Sequence, residues 1–335
     1  MHSANTQRAD RCAYAIGLDI GGTKIAAGVV GQDGKTLKTT SVASPSDEGE
    51  SGTLALVIQV IEQLREEYPS ILAIGVGAAG MVDWPSGYIR WAPNNGYRDL
   101  ALKALLTKAT GLPTVVDNDA NVAAWAEVRL GAGQGYDSMA VLTVGTGIGA
   151  GLILDGKIYR GATGIGGEIG HVIVDPRGAS CACGSTGCLE TMASGTALGR
   201  IGRREAAQEP MGALAALAGD PGKVTGEIVF KAASAGDPTA RSLFNEIGDW
   251  LGIGIASLVN LLDIQLVVIG GGLGTTGELL LRPARSSFER FIFSRTHRRM
   301  PSIVSAHLGG EAGITGAGIL ALDSIGITTS TEDHD

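Results

Sequence analysis

The sequence predicts a mixed α/β protein of two domains. Three observations carry this. At 335 residues, the chain is long enough for two cores. Strand-like apolar runs that end in glycine alternate with helix-like stretches. The pattern strand, glycine turn, strand also occurs twice, at Tyr14–Val30 and Ser138–Leu154, with the turns about 125 residues apart. Apolar residues make up 44% of the chain and charged ones 18%, which marks a globular protein. Its 52 glycines are about twice the average share, and they cluster at strand ends instead of repeating. That placement suggests backbone approaching a ligand rather than a fibre. A formal charge of −8 argues against nucleic acid or an anionic membrane as main partner. No run approaches the roughly 18 apolar residues of a membrane span. The first eleven residues lack the apolar core of a signal peptide. Four cysteines, three of them in one cluster, fit a reducing cytoplasm.

The first segment, AYAIGLDIGGTKIAAGVVGQDGKTLKTTSVAS, reads as three strands joined by two turns. Its first turn holds Asp19, Gly21, Gly22, Thr23 and Lys24. A glycine-rich loop can cradle phosphate with its N–H groups. P-loop spacing is absent, and a β-like run, Ile25–Val30, follows where a dinucleotide fingerprint requires a helix. An ordinary hairpin turn is the alternative; the acidic residue just before the glycines favours phosphate with magnesium. Residues 52–67 have helical spacing, with Leu54, Val57, Val60, Ile61 and Leu64. Ile71–Gly77 reads as a buried strand, and MVDWPSGYIRWAPNNGYRD as a loop. Asn94 and Asn95, flanked by aromatics, suit sugar hydroxyls. A helix is expected near Leu100–Ala109, a short strand at Thr114–Val116 and a helix from Ala120 to Leu130, stopped by Gly131. Asp119 then falls at a helix N-terminus, where the helix field favours its ionised form. It reads either as a plain N-cap or as a functional carboxylate.

The second hairpin carries Gly145, Thr146 and Gly147. One phosphate-type hairpin in each half looks like a weak internal duplication; a chance repeat of hairpins is the alternative. The pair matches the two-domain actin-like ATPase (ribonuclease H-like) fold, in which two α/β domains close over a nucleotide in an interdomain cleft.

The densest chemistry lies in GGEIGHVIVDPRGASCACGSTGCLE, from Gly166 to Glu190. Cys181, Cys183 and Cys188 form C-x-C-x4-C, and His171 precedes them by ten residues. Three thiolates and an imidazole complete a tetrahedral zinc shell and leave no open position for activated water, so a structural zinc is expected. Gly184 and Gly187 supply the tight turns this requires. The alternatives are a disulfide with a spare thiol, or cysteines buried as small apolar groups. A metal here would also fix two carboxylates, Glu168 and Glu190, whose other reading is as solvated surface groups. Residues 195–250 read as mainly helical, with breaks near 219–221 and 236–238. Gln265–Ile269 reads as a strand ending in Gly270, Gly271 and Gly272. Backbone there can approach a flat ligand closely, or simply turn.

The string G-E-I-G-H followed by C-x-C-G-x-x-G-C-L-E resembles the ROK family of sugar kinases and sugar-responsive repressors. The resemblance covers roughly residues 14–324, with the motifs in the family's order. It implies that His171 is both a zinc ligand and a sugar contact, and that Glu168 and Glu190 bind sugar hydroxyls. It further implies sugar contacts from Asn94, Asn118 and the backbone near Gly80, and a catalytic base at Asp119. Adenine or ribose would lie against Gly271 and Gly272. Gly309–Ala321 resembles the family's closing helix. One departure is Tyr97, where the family commonly has tryptophan; it bears on fine substrate preference.

The resemblance thus implies an ATP-dependent hexokinase acting on the 6-hydroxyl of glucose, with Mg2+ accompanying ATP and organised by Asp19. The expected domains are 12–118 plus a C-terminal helix 312–325, and 119–311 with the zinc motif. Residues 1–11 and 326–335 are expected as flexible tails. The partners expected are a hexose and ATP, with no nucleic acid and no membrane, and the assembly expected is a homodimer or homotetramer. A kinase for an N-acetylated amino sugar or fructose shares nearly every motif. A repressor would need an N-terminal helix-turn-helix, and about a dozen residues precede the first strand. Polyphosphate-dependent relatives usually lack the cysteine cluster.

Overall fold

The computed structural model describes residues 13–44, 49–92 and 97–328. Of the tails expected at 1–11 and 326–335, residues 1–11 and 329–335 lie outside these. Gly326–Thr328 are described: Gly326 and Ile327 donate to the carbonyls of Asp323 and Leu322, closing the last helix. The chain forms two compact units. Among the described residues, one comprises those up to Asp119 together with those from Gly313 onward, and the other is Ala120–Ala312.

In the first unit the strands and helices are β1 (Tyr14–Ile20), β2 (Lys24–Gly31), β3 (Thr36–Ala43), α1 (Gly49–Glu67), β4 (Ile71–Ala78), β5 (Met81–Asp83), β6 (Tyr88–Ala92), β7 (Tyr97–Leu100), α2 (Leu102–Thr110) and β8 (Thr114–Asn118). The main sheet runs β3-β2-β1-β4-β8. Its β3-β2-β1 part is antiparallel, and β1, β4 and β8 run parallel. The parallel strands are almost continuously apolar because both faces are covered. On α1, Val57, Val60, Ile61 and Leu64 are buried, as their spacing requires. The C-terminal helix, Ala312–Ser324, lies so close to the sheet that only glycine fits beneath it. A Cβ on Gly17 would stand 1.9 Å from the Ile314 carbonyl oxygen, and one on Gly75 would stand 1.8 Å from that of Ala317.

One expectation fails here. The stretch read as a loop folds into a small antiparallel sheet, β5-β6-β7. Its strands are three to five residues long, too short for a two-residue period to show. Pro85 and Gly87 between the first two also read as loop residues. Tyr97 is buried in this sheet.

The second unit continues with α3 (Asp119–Leu130), β9 (Met139–Val144), β10 (Ile148–Leu154), β11 (Lys157–Tyr159), α4 (Leu189–Ala193), α5 (Gly195–Gln208), α6 (Ala213–Ala218), α7 (Gly226–Ser234), α8 (Pro238–Leu262), β12 (Leu266–Gly270), α9 (Gly271–Gly274), α10 (Glu278–Phe291) and β13 (Ser302–Ser305). Its sheet runs β11-β10-β9-β12-β13. The order and strand senses repeat those of the first sheet: two antiparallel pairs, then two parallel ones. This is the duplication that the two hairpins announce. The core packs Leu142, Val144, Phe244, Leu251 and Ile255. Gly248 and Gly252 on α8 admit α10, where a Cβ on Gly252 would lie 2.4 Å from the Ala284 carbonyl oxygen. Among the described residues no helix is long and apolar enough to cross a membrane.

Candidate functional site: a carboxylate end, a cysteine knuckle and a glycine-floored cavity

The first unit gathers its polar groups at the carboxyl ends of its parallel strands, where open α/β sheets bind ligands. Register places Asp19 beside Gly77 and Gly77 beside Asp117; Ala78 and Asn118 pair one step on. Asn118 donates from Nδ2 to the Gly80 carbonyl at 3.2 Å, and from its backbone N–H to Asp117 Oδ1 at 2.8 Å. Gly80 has φ +127°, and a Cβ there would lie 2.5 Å from the Trp91 carbonyl oxygen. Only glycine fits, and the Asn118 amide fixes its carbonyl. Asp119 opens α3, as expected. Asp19 feels it: burial, then the Asp119 charge, push the Asp19 carboxyl up to about 6, with Lys24 opposing. The Asp19 carboxylate also lies against the first turn of the C-terminal helix, where a Cβ on Gly313 would stand 2.8 Å from Oδ2. A desolvated acid beside a second acid suits a divalent cation. The turn Gly21–Lys24 is closed by the Gly21 N–H donating to the Lys24 carbonyl at 3.0 Å. Thr23 and Lys24 are exposed. Asn94 and Asn95 lie outside the described residues.

In the second unit the cysteine cluster forms a knuckle. Single bridges pair Ile173 with Cys188 and Ser180 with Thr186. Gly184 and Gly187 take φ +94° and +73°, as the sequence demands of them. The ligand atoms of His171, Cys181, Cys183 and Cys188 all lie within 4.8 Å of one another. Cys183 Sγ is 3.6 Å from Cys188 Sγ, and Cys181 Sγ is 3.7 Å from His171 Nδ1. A disulfide needs about 2.0 Å. Four ligands around zinc, with Zn–S near 2.3 Å, stand about 3.8 Å apart. All three cysteines are free thiols. Burial pushes the Cys181 thiol up to about 12, and burial raises Cys188 as well. The Ser185 backbone N–H draws Cys183 down to about 7. Buried thiolates call for a cation, and a bound metal deprotonates its thiols outright. The donor set and spacing are therefore compatible with structural zinc.

The same knuckle positions the carboxylates. The 3₁₀ turn Ile169–His171 rests on β10, where a Cβ on Gly170 would lie 2.0 Å from the Ile148 carbonyl oxygen. His171 Nδ1 faces both the cluster and Glu190 Oε1, the latter at 3.6 Å, while Nε2 lies 4.0 Å from Glu168 Oε2. Glu190 Oε1 is 3.1 Å from Cys181 Sγ. Its other oxygen lies against the second hairpin, 2.6 Å from where a Cβ on Gly147 would be. Glu168, His171 and Glu190 are thus one cluster that shares an edge with the cysteines.

A cavity of about 570 Å³ opens beside that hairpin. Gly145 and Thr146 line it together with Gly195, Thr196, Gly199, Arg203, Thr225, Gly226, Glu227, Phe230, Gly272, Leu273 and Thr276. Gly145 and Gly272 were expected near a nucleotide, and both line it. Gly271, at φ +78°, packs on the Val144 backbone and is not among its lining residues. The residues from α5 and α7 were missed by sequence reasoning. A signal was present: Ser194 and Thr225 each cap a helix and are each followed by glycine, which bares the helix N-terminus.

Two α/β units, each with the same five-stranded sheet and glycine hairpin, define a two-domain actin-like ATPase fold. The chain belongs to the ROK family, whose model matches residues 15–324. It is 40% identical over 309 residues to a glucokinase of Streptomyces coelicolor, covering 91% of this chain and 96% of that protein. A glucokinase of Thermotoga maritima is 35% identical over 320 residues, covering 93% and 98%. The crystal structure of a ROK family glucokinase from Streptomyces griseus, in complex with glucose and AMPPNP, superposes with a TM-score of 0.84 at 41% identity, covering 93% of this chain and all of that one.

Proposed function

We propose that this chain is an ATP-dependent glucokinase that transfers the γ-phosphoryl group to the 6-hydroxyl of glucose. The observation that carries the reading is the Glu168, His171 and Glu190 cluster, held against a Cys3His knuckle beside a glycine hairpin. Relatives that are 35–40% identical along nearly their whole length and are glucokinases support it.

In this reading Asp119 is the general base. A sugar hydroxyl is a poor nucleophile until its proton leaves, and Asp119 accepts that proton as the phosphoryl group transfers. Glu168, His171, Glu190, Asn94 and Asn118 bind ring hydroxyls, and the Gly80 backbone completes the set. Fixing the ring this way also excludes wrong sugars, whose hydroxyls leave buried polar groups unpaired. The turn Gly21–Lys24 and the turn Gly145–Gly147 bind phosphate oxygens through backbone N–H groups, and Gly272 faces the nucleoside, while Gly271 shapes the turn that presents it. Asp19 organises the magnesium that accompanies ATP, whose charge neutralises the phosphates. His171, Cys181, Cys183 and Cys188 hold one structural zinc, which keeps His171 and Glu190 in place. Three free thiols held for a metal suit the cytoplasm. Assembly as a homodimer or homotetramer belongs to the same reading, and light scattering tests it.

Asp119→Asn tests the mechanism. Asparagine caps a helix nearly as well as aspartate, so the fold survives. Loss of the base lowers kcat by about 10²–10⁴, while glucose Kd, read from tryptophan fluorescence, changes far less. A variant with normal turnover removes Asp119 from the chemistry.

A further inference from the structure

The cavity beside the second hairpin is lined by glycine backbone and by a few side chains of distinct chemistry. Gly145 and Thr146 mark its hairpin side. Helix α5 starts there, with the Gly195 N–H donating to the Gly145 carbonyl at 2.8 Å. It runs along the cavity to Arg203, eight residues further on, which is about 12 Å of helix. The floor between is bare backbone. A Cβ on Gly199 would lie 3.1 Å from the Gly226 nitrogen, and one on Gly226 would lie 2.9 Å from the Gly195 carbonyl oxygen.

Three further side chains line the cavity. Arg203 is half-buried and donates to the Val224 carbonyl at 2.9 Å. Phe230 is half-buried and meets Phe244 edge-on, with ring centroids 6.3 Å apart. Glu227 is exposed in the first turn of α7, just after its capping Thr225. The cavity therefore offers a flat apolar ring, a planar guanidinium and a carboxylate. Glu227 is the one acid lining the cavity among the described residues. A carboxylate repels a polyphosphate, so its place in a nucleotide site is beside the base. Ionised, it accepts hydrogen bonds and donates none.

We propose that Glu227 selects the base of the phosphoryl donor, accepting from the exocyclic amine of a 6-amino purine and rejecting a 6-oxo purine. Adenine presents a donor at that position, and guanine or hypoxanthine an acceptor. Facing the 6-oxo group, the carboxylate meets a second acceptor, which is repulsive. The inference rests on the kinase reading above. It gives the nucleotide a determinant separate from the hairpins' hold on its phosphates.

The test compares kcat/KM for MgATP, MgITP and MgGTP at saturating glucose, in wild type, Glu227→Gln and Glu227→Lys. ATP and ITP differ at the purine 6-position and the adjoining N1. Wild type is expected to prefer ATP over ITP by about tenfold or more. Glutamine presents either a donor or an acceptor by rotation, so the preference falls to within a few-fold. Lysine only donates, so the preference inverts. Melting temperatures confirm folding, and ADP and IDP affinities by calorimetry read the same selectivity if a variant loses turnover. A wild-type ATP to ITP ratio near one, or a ratio that both variants leave unchanged, overturns the proposal. GTP surpassing ATP also overturns it, because a carboxylate reading the N1 and N2 edge of guanine would give that order. Wild type that phosphorylates no glucose with ATP overturns the kinase reading instead, and the ADP to IDP affinity ratio still decides the role of Glu227.

Discussion

Gly145 and Gly147 belong to one turn, yet a side chain added at each would meet different surroundings. Nothing lies within 4 Å of a Cβ placed on Gly145, which lines the cavity. A Cβ on Gly147 would lie 2.6 Å from Glu190 Oε2. Neither glycine has positive φ, so alanine suits the backbone at both positions. Gly147→Ala must therefore push the Glu190 carboxylate from 2.6 Å out to the roughly 3.4 Å of an ordinary contact, a shift of about 0.8 Å. Glu190 has little room to yield, with Cys181 Sγ at 3.1 Å and His171 Nδ1 at 3.6 Å from its other oxygen. Misplacing a positioning group by about 1 Å costs on the order of 10²-fold in rate. For Gly147→Ala we expect glucose kcat/KM to fall about 10- to 100-fold, with the KM for ATP within about twofold of wild type. Gly145→Ala should do the reverse, raising the KM for ATP several-fold by filling the cavity floor. The assay is coupled ADP release, with each substrate varied at saturation of the other. If Gly147→Ala leaves glucose kcat/KM within about twofold of wild type, Glu190 does not hold the sugar. If both variants disturb ATP alone, the turn serves only phosphate.

Elemental analysis should find one zinc per chain, and Cys183→Ser should lose it, lower the melting temperature and raise the KM for glucose together; protein that carries no metal, or an unchanged KM, contradicts the role given to the knuckle. Asp19 has its carboxyl raised from 3.8 to about 6 by burial, then by Asp119. Its contribution to stability is complete below pH 3.8 and is lost as pH rises through about 6. In magnesium-free buffer Asp19→Asn should therefore become more stable relative to wild type between pH 5 and pH 8, by on the order of 1–3 kcal/mol, and lose kinase activity. A stability difference flat with pH refutes the shift. Gly75→Ala forces a Cβ to within 1.8 Å of the Ala317 carbonyl oxygen. It should destabilise by at least about 2–3 kcal/mol in urea melts, and a neutral result would mean that the C-terminal helix packs less closely on β4.

The parts legible in the sequence are those whose signal is local. The hairpins at Gly21 and Gly145, the helix opening at Asp119 and the cysteine spacing each fit within a dozen residues or so, and each forms as read. The repeated sheet order followed from two such hairpins. What escaped depends on distant contacts or very short elements. Strands β5, β6 and β7 are too brief to show a period. Helix α10 has Pro283 inside it, which reads as a helix breaker, and it packs against Gly248 and Gly252 of α8. Arg203, Glu227 and Phe230 come from two helices and share no motif; only the cavity joins them. Glu190 was read as a sugar ligand, but its contact with Gly147 lies 43 residues away in sequence and could not be read.

The central claim is transfer of phosphate from ATP to O6 of glucose. Incubation of the purified chain with MgATP and each of glucose, mannose, fructose, N-acetylglucosamine and N-acetylmannosamine, followed by ³¹P and ¹H NMR of the products, tests it directly. A parallel incubation replaces ATP with polyphosphate. The account predicts glucose 6-phosphate and ADP in equal amounts, with glucose giving the highest kcat/KM and ATP the better donor. Phosphate at another position, faster turnover of an N-acetylated sugar, or no ADP formed with glucose would contradict it.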